Sequence, residues 1–298
     1  MRTGALLSIV IAATLLGGSA LVAMAPSAVT ATDDRLQVVA TFYPLYYFSN
    51  EIGGGRAHVS MIIPDNIEPH SFDPRPSDIV RVARSDIIVY NGAGFEPWIS
   101  SIVAQAPADL MQIDTSEYLA ENMSGRDPHF WLDPVSAQVQ VSTIAAGMAW
   151  ADPGNSAYYL ANAANLTARL ADLNTAFEVG LQDRTKNAIV TTHEGFDYMA
   201  TRYGFEAYAA VGISGENQPS IQALIELTDQ VNLLGLHYVY SEPVFSDAVM
   251  QTIALETGSG VLVLDCVHGR AGAHADMDYF QIMYANLVSL RVGLEVPE

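Results

Sequence analysis

The sequence predicts an α/β fold of parallel sheets flanked by helices, arranged as two lobes joined by one long rigid helix. Three observations predict it. Short β-branched runs alternate with amphipathic stretches along most of the chain, the pattern of repeated strand–helix–strand units. The runs are apolar nearly throughout, as expected of strands covered on both faces. One helical stretch, 155–183, is much longer than the rest, with about four strand–helix units before it and four after.

Strands are expected at 36–41, 58–63, 86–90 and 110–113, and again at 188–192, 206–211, 238–241 and 261–264. Helical patterns fill 43–52, 76–84, 96–104 and 135–151, then 194–203, 220–233, 246–257 and 277–294. The long segment follows Asp152-Pro153-Gly154, and Leu160, Ala164, Ala168, Ala171, Ala176 and Phe177 keep a helical period along it. At a rise of about 1.5 Å per residue it spans roughly 40 Å, the width of a lobe. The division that follows is an N-terminal leader at 1–31, a first lobe at 32–152, a connecting helix at 153–185 and a second lobe at 186–298.

Composition narrows the function. The 298 residues carry 13 bases against 33 acids, a formal charge of −20, and Lys186 is the sole lysine. Nucleic-acid binding needs clustered positive charge, and docking on anionic lipid needs a basic patch, so neither is expected. Half the residues are hydrophobic, which excludes a disordered acidic chain. A single cysteine, Cys266, excludes an internal disulfide, any thiolate-rich metal site and a lipid-anchored thiol at the leader. The excess acid reads as a soluble exterior.

The first 31 residues read as an export signal. Met1-Arg2-Thr3 is a positive start, an apolar run covers 5–25, and Val29-Thr30-Ala31 offers a small-residue cleavage site. An uncleaved membrane anchor is the rival reading, since the apolar run has about the length of a span. Either way the body is expected to be exported, periplasmic or on the extracellular face of the membrane. Asn122-Met123-Ser124 and Asn165-Leu166-Thr167 match the glycosylation pattern without further support.

Three of the seven histidines sit in or beside polar loops that follow expected strands. His70 lies in Pro69-His70-Ser71-Phe72-Asp73-Pro74, His129 in Asp127-Pro128-His129-Phe130-Trp131, and His193 ends a strand; Asp265 ends another. Open α/β sheets bind ligands beyond the carboxyl ends of their strands. Two such residues per lobe would converge on the cleft between lobes, and imidazoles with one carboxylate suit a tetrahedral zinc-type site. The alternative at this point is a set of ordinary loop histidines.

Several longer motifs, in order, resemble the zinc/manganese-type solute-binding proteins of ABC transporters, the cluster A-I or TroA-like family. They are Val39-Ala40-Thr41-Phe42-Tyr43-Pro44, Glu68-Pro69-His70-Ser71-Phe72-Asp73-Pro74, Asn91-Gly92-Ala93-Gly94-Phe95-Glu96-Pro97-Trp98, Asp127-Pro128-His129-Phe130-Trp131-Leu132-Asp133-Pro134, Thr192-His193-Glu194-Gly195-Phe196, Leu264-Asp265 and Asp278-Tyr279-Phe280. The resemblance implies a monomeric, non-enzymatic capture protein that holds one metal between two lobes and delivers it to a membrane permease with little lobe motion. It places the metal ligands at His70, His129, His193 and Asp265. Three imidazoles and a carboxylate favour Zn2+, with Mn2+ as the alternative. The histidine-rich loop of many zinc members is missing, since 116–126 contains no histidine.

The neighbouring residues have plainer readings. Glu68 reads as an exposed loop carboxylate, Asp78 as a helix-start residue and Cys266 as a small buried thiol. Glu242 either simply ends a strand or stands behind a ligand. His268 shares a loop with Asp265 and stays open as a neighbour of the site, whereas His58, His237 and His274 read as strand-edge or surface residues. A zinc hydrolase is the rival function, but Asp197 stands where a His-Glu-x-x-His motif needs its second histidine. A surface adhesin on the same scaffold is the other.

Overall fold

In the computed structural model, residues 34–119, 127–214 and 218–297 are described. The expected leader at 1–31 and the Asn122 glycosylation pattern lie outside these described residues. The first half of the chain builds β1 (Leu36–Ala40), α1 (Tyr43–Gly53), β2 (Ala57–Met61), α2 (Pro76–Val82), β3 (Ile87–Tyr90), α3 (Ile99–Val103) and β4 (Met111–Asp114). The four strands form one parallel sheet in the order β2-β1-β3-β4, with Val38 beside both Val59 and Ile87. All strands therefore end at one edge, and the loops leaving that edge share one region of space.

Two helices follow, α4 (Pro134–Ala151) and α5 (Ser156–Gly180), joined by a 3-10 turn at Pro153–Asn155. The expected long helix is thus 25 residues, about 38 Å at the usual rise. Its buried face is not the one the alanine period suggested. Leu160 is exposed, as are Ala164, Ala168 and Ala171, while Tyr159, Ala163, Leu166, Leu170, Leu173 and Phe177 are buried. The larger side chains win because each removes far more apolar area from water than an alanine does.

The second half contains β5 (Ala188–His193), α6 (Asp197–Tyr203), β6 (Glu206–Val211), α7 (Ile221–Leu234), β7 (Tyr238–Ser241), α8 (Ala248–Thr257), β8 (Gly260–Val263) and α9 (Tyr279–Gly293). Its strands form two parallel pairs, β5-β6 and β7-β8, with β5 lying beside β7. A large apolar core runs without a break from the first sheet through α1, α4 and α5 to α9, and includes Trp131, Leu264 and Tyr279. A smaller core fills the space between β5, β7, α7 and α8. No helix among the described residues is long and apolar enough to cross a membrane.

Polar clamps reinforce the joint between the halves. Asp133 caps α4 by accepting the Val135 and Ser136 N–H groups and the Ser136 hydroxyl. The same carboxylate, fully buried, receives both Nε and Nη2 of Arg202 from α6. Asp65, in the loop after β2, accepts the Arg270 backbone N–H at 3.0 Å and its Nη2 at 2.8 Å. Trp131 Nε1 donates to the Cys266 carbonyl, and the Tyr279 hydroxyl donates to the Trp131 carbonyl.

Asp133→Ala removes a helix cap and a charge-assisted pair together. It should cost about 3 kcal/mol, from about 1 for the cap and 1.5–3 for bonds to a charged group. The check is a lowered denaturant midpoint with an unchanged slope.

Candidate metal centre

Four histidines meet beyond the strand ends. His70 belongs to the loop between β2 and α2, and His129 to the stretch before α4. His193 closes β5, and His268 lies in the loop after β8. Each offers a ring nitrogen, and these four atoms all lie within 4.8 Å of one another. The Nε2 atoms of His70 and His129 are 3.3 Å apart, and those of His129 and His193 are 3.2 Å apart. Three of the four expected positions are therefore brought together.

The fourth, Asp265, is not in this group. Its Oδ1 accepts the Val267 N–H at 2.7 Å, and its Oδ2 lies 2.7 Å from His274 Nδ1. Its backbone N–H and carbonyl are both bonded to the Asn286 side chain on α9. The strand end points Asp265 into the core, and the chain then turns to bring His268 to the cluster. His274, expected at the surface, is buried as the partner of Asp265. The available signal for His268 was its place three residues after Asp265 in the loop beyond β8; strand alternation could not reveal the turn between them.

Carboxylates stand behind the rings. Asp127 Oδ1 accepts the His129 backbone N–H at 2.9 Å and lies 2.6 Å from His129 Nδ1. Glu242, beyond β7, accepts the His193 backbone N–H at 3.0 Å, and its other oxygen lies 2.7 Å from His193 Nδ1. Asp127 thus fixes the His129 proton on Nδ1 and leaves its Nε2 lone pair free to ligate, whereas Glu242 anchors His193 through the backbone N–H. Glu68, contrary to its expected exposure, is buried and accepts the N–H groups of His70 and Ser71, which shapes the His70 loop. Asn91, at the end of β3, donates to the Pro128 carbonyl and supports the His129 loop.

The surroundings are apolar. Phe95 packs 4.7 Å from the His70 ring, Trp131 5.1 Å from His129 and Phe245 5.0 Å from His193, centroid to centroid. Burial pushes the His70 pKa down to about 2, with further repulsion from His129 and His193. Burial also lowers His129, against the opposing pull of Asp127, and lowers His268 strongly. These three imidazoles are therefore neutral near pH 7. Neither ring nitrogen of the buried His268 has a protein partner. His129 Nδ1 is turned toward Asp127, and its Nε2 lies 3.2 Å from that of His193. A cation among the rings would satisfy the orphaned His268 nitrogen together with the clustered imidazoles, so the donor set fits a divalent metal.

The carboxylates that a hydrolytic site would need are placed otherwise. Glu194 is exposed, and Glu68 is committed to its loop. Gly195 matters by its size: a Cβ there would lie 2.7 Å from His193 Nε2 and 2.6 Å from Cε1.

Glu242→Gln keeps an acceptor for the His193 backbone N–H but removes the negative charge 2.7 Å from His193 Nδ1. A loss of about 10–100-fold in divalent-metal affinity is expected, read by chelator competition, with the fold retained. Gly195→Ala should also weaken metal binding by displacing the His193 ring.

The family model for the periplasmic component A of the zinc-uptake complex, ZnuA, matches residues 38–293. The high-affinity zinc uptake system protein ZnuA of Bacillus subtilis is 31% identical over 283 residues, covering 88% of this chain and 89% of that protein. The zinc-binding protein AdcA of Streptococcus pyogenes is 29% identical over 293 residues, but the chain spans only 57% of its length. Among solved structures, the Zn(II)-bound ZnuA-like domain of Streptococcus pneumoniae AdcA aligns with a TM-score of 0.78 and 29% identity over 88% of this chain and 99% of that one. The laminin-binding protein Lmb of Streptococcus agalactiae, described as a bifunctional adhesin and metal transporter, aligns with a TM-score of 0.81 and 27% identity over 87% and 99%.

Proposed function

The chain belongs to the ZnuA family of periplasmic zinc-uptake components, and from that premise we propose that it captures Zn2+ outside the cytoplasm and delivers it to an ABC-type membrane permease. The observation that carries this reading is the convergence of four buried or half-buried imidazoles at one point. We assign the ligands as His70, His129, His193 and His268, with Asp265 outside the first coordination sphere. The protein acts as a carrier, without catalysis and as a monomer, and the ion is its cargo.

Four imidazole nitrogen donors favour zinc over manganese, which prefers carboxylate and water oxygens. The negative charge that balances the ion is held one step back, on Asp127 and Glu242. A closed tetrahedral shell leaves no position for an activated water, which separates this site from a hydrolytic zinc. Two ligands come from each half of the chain, so delivery requires pulling one pair from the other. His70 is the most accessible of the four and belongs to a long loop, so exchange starts there.

Protein purified without chelator should carry one zinc per chain, and excess manganese should not displace it. His129→Ala and His193→Ala should each lose at least about tenfold in affinity, roughly 1.4 kcal/mol. Calorimetry that finds no stoichiometric zinc, or unchanged affinity when positions 70, 129 and 193 are all alanine, would overturn the proposal.

The metal-free protein should also be sensitive to acid. An unfolded histidine takes a proton near pH 6.5, whereas folded His70 resists until about pH 2. The unfolded state then binds more protons throughout that window, so stability falls as pH drops below 6.5. The melting temperature should decline between pH 7.5 and pH 5, and less steeply in His70→Gln.

A further inference from the structure

Three of the four histidines have a carboxylate that fixes them: Asp127 behind His129, Glu242 behind His193, and Glu68 on the backbone of the His70 loop. His268 has none. Its ring nitrogens have no hydrogen-bond partner in the protein, so the backbone that carries it, with the packing of Phe95, Trp131 and Phe245 around the ring, decides where it points. That backbone is unusual one residue earlier. Val267 has φ +54°, in the left-handed region that β-branched residues avoid. Such a conformation persists only where the surroundings over-determine it.

The surroundings do so through Asp265. Its carboxylate oxygen Oδ1 accepts the Val267 N–H at 2.7 Å, closing the turn across two residues. The other oxygen is held by His274 Nδ1 at 2.7 Å, which ties the turn to the Gly272–His274 helical turn. The Asn286 side chain on α9 grips the Asp265 N–H at 2.8 Å and its carbonyl at 2.7 Å. Trp131 holds the next carbonyl, that of Cys266, at 2.8 Å. The Val267 side chain is itself fully buried. We infer that Asp265 is a positioning residue for metal capture, holding the left-handed turn at Val267 that delivers His268 to the cluster. This rests on the reading of His268 as a ligand.

The test measures Zn2+ affinity by chelator competition in the full chain, on variants shown to be folded by circular dichroism, with Co2+ absorption as a second readout. His268→Ala addresses the ligand itself and should lose at least tenfold. Asp265→Ala should lose about 10–100-fold, the usual effect of a lost partner behind a metal ligand. Asp265→Asn should bind nearly as well as the unmodified protein and keep its Co2+ spectrum, because the amide oxygen still accepts the Val267 N–H and His274 can adopt its other tautomer. In the Asp265→Ala background, Val267→Gly should recover affinity, since glycine takes this φ without strain. Unchanged binding in His268→Ala would overturn the ligand assignment. With His268→Ala impaired, a harmless Asp265→Ala would overturn the positioning role alone. So would an Asp265→Asn as damaging as alanine together with no recovery from Val267→Gly.

Discussion

The arrangement of this protein turns on a repulsion. Four imidazoles are held with their ring nitrogens within 4.8 Å of one another, walled by Phe95, Trp131 and Phe245. Burial keeps His70, His129 and His268 uncharged, and Asp127 holds the His129 proton away from the centre. Neither nitrogen of His268 has a partner in the protein. Holding them there raises the free energy of the empty site, and the scaffold supplies what keeps it from collapsing. The unbroken core beneath and the buried Asp133–Arg202 clamp are the main terms. On the proposed ligand set, a bound cation would turn these close approaches into attractive contacts, so the work of preorganisation would return as affinity and selectivity.

Carboxylates surround this centre without entering it. Asp127 and Glu242 back the rings of His129 and His193; Glu68 and Asp265 shape the loops that carry His70 and His268. Neutral nitrogen donors with anions one bond further out provide charge compensation without the oxygen ligands that harder cations prefer. The strongly acidic composition contributes little here. These few carboxylates are buried or half-buried and individually bonded, whereas about half of the acids among the described residues are exposed.

Much of this was legible in the sequence, and the errors have physical causes. Strand positions came from continuous apolar runs, and the parallel order follows from helices between them. His70, His129 and His193 stand at or beyond strand ends, where chain direction alone brings residues together. Asp265 was expected in the cluster because it also stands at a strand end, but its carboxylate is bonded to Val267 and His274. What separates it from His268 is one left-handed residue, Val267, and nothing in a valine announces that conformation. Glu68 looked like an exposed loop acid because hydrophilic loops are normally solvated; its burial depends on two backbone N–H groups whose positions no pattern reveals. The stripe on α5 was misread because alanines keep a helical period without supplying much area to bury.

The two clamps between the halves differ in strength. Asp133 is fully buried, caps α4 and takes both guanidinium nitrogens of Arg202, so breaking it strands a buried charge. Asp65 and Arg270 also form a two-pronged pair, but their side chains are 25% and 41% exposed. A partly solvated pair of this kind contributes about 1 kcal/mol or less. Their location gives that weakness a consequence. Asp65 lies five residues before His70, and Arg270 lies two after His268. This pair therefore joins the two ligand-bearing loops directly, one from each half, while Asp133–Arg202 fixes the frame behind His129. The Asp65–Arg270 pair is thus the weaker tie between the His70 and His268 loops, while the buried Asp133–Arg202 pair and the unbroken core hold the rest together.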